Sequence, residues 1–175
     1  LSALDKKLRE EIQFEIRRIH QETGVTILYV THDQEEALRL SDRIAVFSQG
    51  EIDQIGTGPE LYSNPATRFV AGFIGDSNFL DATVVTSNAG KSRLSLGDGV
   101  VIDGVPLHGP SAANGKASLM LRPERLSLSR VSVPSGIAVT VRDITFLGNN
   151  VEVSTATPAG VDLAVRLPFG HAALS

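Results

Sequence analysis

Residues 25–37 read Val25-Thr26-Ile27-Leu28-Tyr29-Val30-Thr31-His32-Asp33-Gln34-Glu35-Glu36-Ala37. The first six are apolar or β-branched with no polar alternation, the pattern of a strand covered on both faces in a parallel sheet. Residues 2–22 before them predict a helix, with Thr23-Gly24 as its end. Helix, short turn and buried strand make half of an α/β unit. In open α/β sheets ligands sit at the carboxyl ends of the strands. His32 stands at such an end.

Working outward, Leu4, Leu8, Ile12, Ile16 and Ile19 recur at spacings of four and three and form one apolar stripe on the first helix. Glu15 falls on the same side, and the pattern does not explain it. Ser2 followed by Asp5 resembles a capping box, with acid at the positive helix end. On the other side, Asp33 can cap a short helix over 34–40. Residues 44–47 and 52–55 predict two strands around the turn Gln49-Gly50-Glu51. Residues 59–62 and 67–74 predict two short helices split by Asn64-Pro65.

From residue 78 helical periodicity stops. Short β-like runs follow at 80–85, 93–96, 100–102, 117–121, 126–128, 137–144, 151–154 and 161–167, separated by glycine, proline, serine and asparagine. Such a series predicts a small barrel or sandwich. The boundary between the two textures lies at residues 75–78.

Composition narrows the classes. The chain has 175 residues, of which 42% are hydrophobic, enough for a real core. It has no cysteine, hence neither disulfides nor a thiolate metal site. No apolar run approaches the roughly 18 residues of a membrane-spanning helix. A net charge of −4 and an aromatic content of 5% argue against broad nucleic-acid binding.

Three elements are candidates for chemistry, and each has a plain reading beside it. Ser2-Ala3-Leu4-Asp5 at a helix start is usually a cap. A lone histidine after a strand is more often structural, but the strand-end position of His32 favours a ligand. His32 and Glu36 are spaced to share a metal, yet no third ligand is suitably placed, so no metal site is expected. Leu121-Arg122-Pro123-Glu124 reads as a strand-end turn.

It is the combination that decides. The order SALD, helix, buried strand, THDQEEAL, hairpin, then Pro59-Glu60-Leu61-Tyr62 and Asn64-Pro65, resembles the ATP-hydrolysing subunits of ABC importers. The likeness is closest to those that take up sugars, polyamines and similar solutes. The resemblance covers nearly the whole chain. It implies that Ser2, Ala3, Leu4 and Asp5 are the D-loop, facing a second subunit. It makes His32 the switch histidine, which hydrogen-bonds the γ-phosphate and the attacking water. Residues 78–175 resemble the TOBE domain, an OB-like β fold, and LRPE fits its usual motif. The expected fold class is an α/β remnant of a P-loop ATPase domain over 1–75, followed by an all-β OB-like TOBE domain over 78–175, short of at least one strand.

Phosphoryl transfer also needs a phosphate cradle and magnesium. No G-x-x-x-x-G-K-[ST] loop and no LSGGQ-like signature occurs in the 175 residues. The family's strand ending in Asp-Glu is expected just before Leu1. The resemblance therefore implies a C-terminal fragment of a protein that uses ATP and Mg2+ when full-length. The fragment alone is expected to hold neither and to be inactive. The implied partners are a second copy, touching partly through an uncovered edge of the β half, transmembrane permease subunits and, indirectly, a solute-binding protein, with no nucleic acid. The implied location is peripheral, on the cytoplasmic face of the inner or plasma membrane. Polyamine or sugar is the expected solute, ahead of iron, sulfate or thiamine. An alternative reading keeps the β half as a stand-alone OB-like ligand-sensing or regulatory module. A third reading, a transcription regulator, lacks a recognisable helix-turn-helix.

Overall fold

Helix α1 (Ser2–Thr23) closes where Gly24 takes a left-handed φ of 66° and its amide donates to the His20 carbonyl at 2.9 Å, a glycine-closed helix end. The computed structural model describes residues 2–88, 90–97, 99–107, 115–134 and 136–170, with side chains from residue 7 onward. They fall into two units, within Leu1–Gly75 and within Asp76–Ser175.

In the first unit the strand predicted at 25–30 does not form. The segment pairs with no described strand, and Leu28 and Val30 are 91% and 83% exposed. A strand exists only through its ladder, and one that is apolar on both faces needs sheet neighbours that the described residues do not supply. The α1 stripe lacks a covering layer for the same reason. Leu8, Ile12 and Ile19 are exposed, whereas Gln13 is only 8% exposed.

Beyond this segment local signals hold. Asp33 caps α2 (Gln34–Leu40) by accepting from the amides of Glu35 and Glu36. Strands β1 (Ile44–Ser48) and β2 (Glu51–Gly56) form a hairpin around Gln49-Gly50, both at positive φ, as a tight turn between right-twisted strands requires. Helix α3 (Gly58–Ser63) opens on a capping box made by Thr57 and Glu60, and α4 (Arg68–Ile74) on a Thr67 cap. Between them the Gln54 amide donates to the Asn64 carbonyl at 3.0 Å and accepts from the Ala66 amide at 2.7 Å. Ala37, Ile44, Val46, Leu61, Val70 and Ile74 form the core.

The second unit is built from strands. β3 (Asn78–Asn88), β4 (Lys91–Gly97), β5 (Val100–Pro106) and β6 (Lys116–Leu121) form an antiparallel sheet in the order β5-β4-β3-β6. β7 (Thr140–Phe146), β8 (Asn150–Ala156) and β9 (Asp162–Pro168) form a second sheet in chain order. Alternation turns Leu80, Ala82 and Val84 of β3 inward with Leu94, Leu119 and, from β9, Leu163. Residues 126–128 form no strand. Leu126 and Leu128 instead pack on Val151, Val153, Val165 and Leu167. By register Ile144 and Phe146 of β7 share the face of Val153 and Val151, yet both stay exposed. Among the described residues of this unit, helical structure is limited to a single 3-10 turn, Pro123–Arg125. This β architecture is consistent with an OB-like domain.

Candidate functional site

The site builds up from the loop of residues 31–33. The Thr31 hydroxyl oxygen accepts from the Asp33 amide at 3.0 Å, and the Asp33 carboxylate caps α2. His32 is thus held by both neighbours. Its ring is exposed and, among the described residues, makes no hydrogen bond or ion pair. Such a ring is available to a partner brought from elsewhere.

One carboxylate organises the surroundings. Glu36 Oε2 accepts from the Thr31 hydroxyl at 2.6 Å and from the Tyr29 hydroxyl at 3.2 Å. Glu36 Oε1 accepts from Gln13 Nε2 at 3.3 Å, with Arg9 Nη1 at 3.9 Å. A turn further along α1, Arg17 Nη1 donates to the Arg39 carbonyl at 2.6 Å. Partial desolvation raises the Tyr29 phenol above its ordinary pKa, Glu36 adds to the rise through its hydrogen bond and its charge, and Arg9 opposes it. His32, Asp33, Tyr29, Thr31 and Glu36 line an open hollow of about 620 Å³ together with Leu8, Ile12 and Ile16 of α1.

Ser2, Ala3, Leu4 and Asp5 begin α1, but their side chains lie outside the described residues. Tyr29, Gln13 and Arg9 escaped the sequence reading. A signal existed: Arg9, Gln13 and Arg17 recur every four residues, a polar row beside the apolar stripe. Among the described residues no three His, Cys, Asp or Glu gather as metal ligands. Gly90-Lys91-Ser92 carries the last letters of a phosphate loop, but Val85 occupies the first glycine position and the triplet lies at the β3–β4 turn, not at a helix start.

In the second unit Arg122 of LRPE is buried. Its Nη1 donates to the Asp76 carbonyl at 3.1 Å and to the Ser77 hydroxyl at 2.6 Å. Burial lowers its pKa, against the pull of Asp76. It tethers the start of its unit.

Residues 119–175 match the family model of the TOBE domain. The chain is 42% identical over 166 residues to the spermidine/putrescine import ATP-binding protein PotA of Mesorhizobium japonicum, covering 95% of this chain and 45% of that protein. With the protein of that name from Ruegeria pomeroyi it shares 44% over 167 residues, 95% of this chain and 44% of the relative. With that from Thermobifida fusca it shares 42% over 170 residues, 94% and 43%. The chain spans less than half the length of these relatives. Likeness of this degree runs through both units, and with the TOBE match in the second the chain is similar to part of the ATP-binding subunits of ABC importers.

Proposed function

We propose that the protein containing this chain hydrolyses ATP to drive an ABC importer, with a polyamine as the solute. A sugar is the next candidate. The observation that carries this reading is the identity of 42% across 95% of the chain to a protein named for spermidine and putrescine import. The free ring of His32 over its hollow supports the mechanistic part. In this reading His32 hydrogen-bonds a γ-phosphate oxygen and the attacking water, holding them in attack geometry. Asp5, with Ser2, Ala3 and Leu4, organises a backbone turn facing a second copy of the subunit.

Magnesium accompanies the nucleotide in the full-length protein and would neutralise phosphate charge. The described residues offer no ligand cluster for it, so no step here runs through it. Residues 1–175 alone are proposed to be inactive, because backbone amides and a lysine of a phosphate loop supply most nucleotide affinity and no such loop is in the sequence. The proposed partners are a second copy, permease subunits and, through them, a solute-binding protein. The proposed location is peripheral, on the cytoplasmic face of the membrane. No described helix is long and apolar enough to cross one.

ATP turnover by the whole subunit assembled with its permease tests this. Stimulation by spermidine or putrescine supports the polyamine assignment, and stimulation by a sugar alone replaces it. His32→Ala should cut turnover about a hundredfold and leave nucleotide binding nearly intact. Wild-type turnover in that variant returns His32 to a structural role.

A further inference from the structure

We propose that Glu36 is a positioning residue for the histidine loop, a single carboxylate that holds residues 29–31 against α1 and thereby sets where the His32 ring stands. The proposal rests on the reading of His32 as the γ-phosphate partner. Its basis is a division of labour between two oxygens. Oε2 serves the segment leading into His32, through Thr31 at 2.6 Å and Tyr29 at 3.2 Å. Oε1 serves α1, through Gln13 at 3.3 Å and Arg9 at 3.9 Å. Glu36 itself belongs to α2, on the far side of the histidine. Three segments around one hollow therefore converge on one side chain, which is only 13% exposed.

The chemistry requires a carboxylate. An ionised carboxylate only accepts, so both oxygens can take donors at once. Of the hydrogen bonds to it, the one from Thr31 at 2.6 Å has the short length of a charge-assisted bond, a class about twice as strong as neutral ones. A glutamine of the same shape keeps one acceptor oxygen and no charge, so Arg9 loses its counter-ion and Gln13 must turn its own amide to meet the new NH2 group if the loop is to keep its acceptor. His32 is bonded through its backbone to Thr31, whose hydroxyl makes the shortest contact to Glu36 and also receives the Asp33 amide. Releasing Thr31 loosens the residue before the histidine, while the Asp33 cap on α2 still holds the residue after it. Misplacing a reacting group by about 1 Å costs up to roughly a hundredfold in rate.

A role confined to helix packing would weaken the fold and move nucleotide affinity together with turnover. Positioning lowers kcat alone. The test uses the whole ATP-binding subunit assembled with its permease and reads kcat, KM and Mg-ATP affinity. Glu36→Gln is expected to lose kcat about ten- to a hundredfold while KM and affinity stay within about twofold. Thr31→Val, which keeps the shape and removes the hydroxyl, should fall in the same way. Thr31→Ser, which restores the hydroxyl, should recover most of that loss. The double variant Glu36→Gln with Thr31→Val should fall no further than Glu36→Gln alone, because the two act as one unit.

Impaired His32→Ala beside unimpaired Glu36→Gln and Thr31→Val overturns this proposal and leaves the reading of His32 intact. Wild-type turnover in His32→Ala removes both. Equal losses in Thr31→Ser and Thr31→Val, or KM rising as kcat falls, also overturn it. Where Glu36→Gln fails to assemble, the Thr31 pair decides.

Discussion

Asn78 and Ala164 exchange two hydrogen bonds. The Asn78 side-chain amide donates to the Ala164 carbonyl at 2.8 Å, and the Ala164 amide donates to Asn78 Oδ1 at 2.8 Å. A single buried side chain thereby imitates a strand partner and closes part of the free edge of β9, stitching the two sheets of the second unit.

Asn78→Leu should lower the stability of this unit by about 1–2 kcal/mol, since it leaves the half-buried amide and carbonyl of Ala164 without these partners. Asn78→Asp keeps the acceptor, loses the donor and sets a carboxylate against a carbonyl, so it should destabilise more near neutral pH than in acid. Thermal unfolding of both variants across pH checks this. Unchanged melting in Asn78→Leu rules the stitch out.

The start of α3 should respond to acid. The Thr57 amide donates to Glu60 Oε2 at 2.8 Å, and this bond, with the Thr57 side chain, holds the Glu60 carboxyl below its ordinary pKa. A lowered carboxyl pKa stabilises the fold above the ordinary carboxylate range, and the gain is lost as pH falls through the lowered value. Thr57→Ala should cost about 1 kcal/mol. Glu60→Gln should remove the acid-dependent part, read from unfolding midpoints along a pH series.

Tyr29 reports on the carboxylate beside it. Its raised pKa favours the neutral phenol in the fold, so this contribution is complete below the ordinary tyrosine range and is lost as pH rises through the raised value. Glu36→Gln should move the titration of Tyr29 down toward the ordinary value, leaving desolvation and the Asp33 charge opposed by Arg9. Phenolate absorbance in a Tyr62→Phe background measures it. An unmoved titration places Tyr29 away from Glu36 in solution.

The exposed strand β7 is the candidate contact for the proposed second copy. Ile144 is 53% exposed, as Phe146 is at 62%, on a face where Val151 and Val153 of β8 are buried. Exposed apolar edge strands invite pairing with another chain, and a lysine there blocks it. Ile144→Lys should reduce self-association in light scattering while altering stability by no more than about 0.5 kcal/mol. A monomer for both the parent and the variant sinks the contact.

Local chemistry could be read directly from the sequence. Asp33 caps the helix that follows it and Gln49-Gly50 turns the β1–β2 hairpin, because each device reaches only two or three residues along the chain. His32 was singled out from the sequence because an apolar run ends there in a polar loop, and the structure puts its exposed ring at the hollow beside Glu36. Pairing was not legible. Residues 25–30 have the composition of a buried strand, but only neighbours decide whether a ladder exists, and periodicity does not count neighbours. The contacts that organise the site and the β unit join residues far apart in sequence, Gln13 to Glu36 and Asn78 to Ala164. Periodicity records which face a residue occupies. Which distant polar group meets it there is settled only when the tertiary structure brings the two faces together.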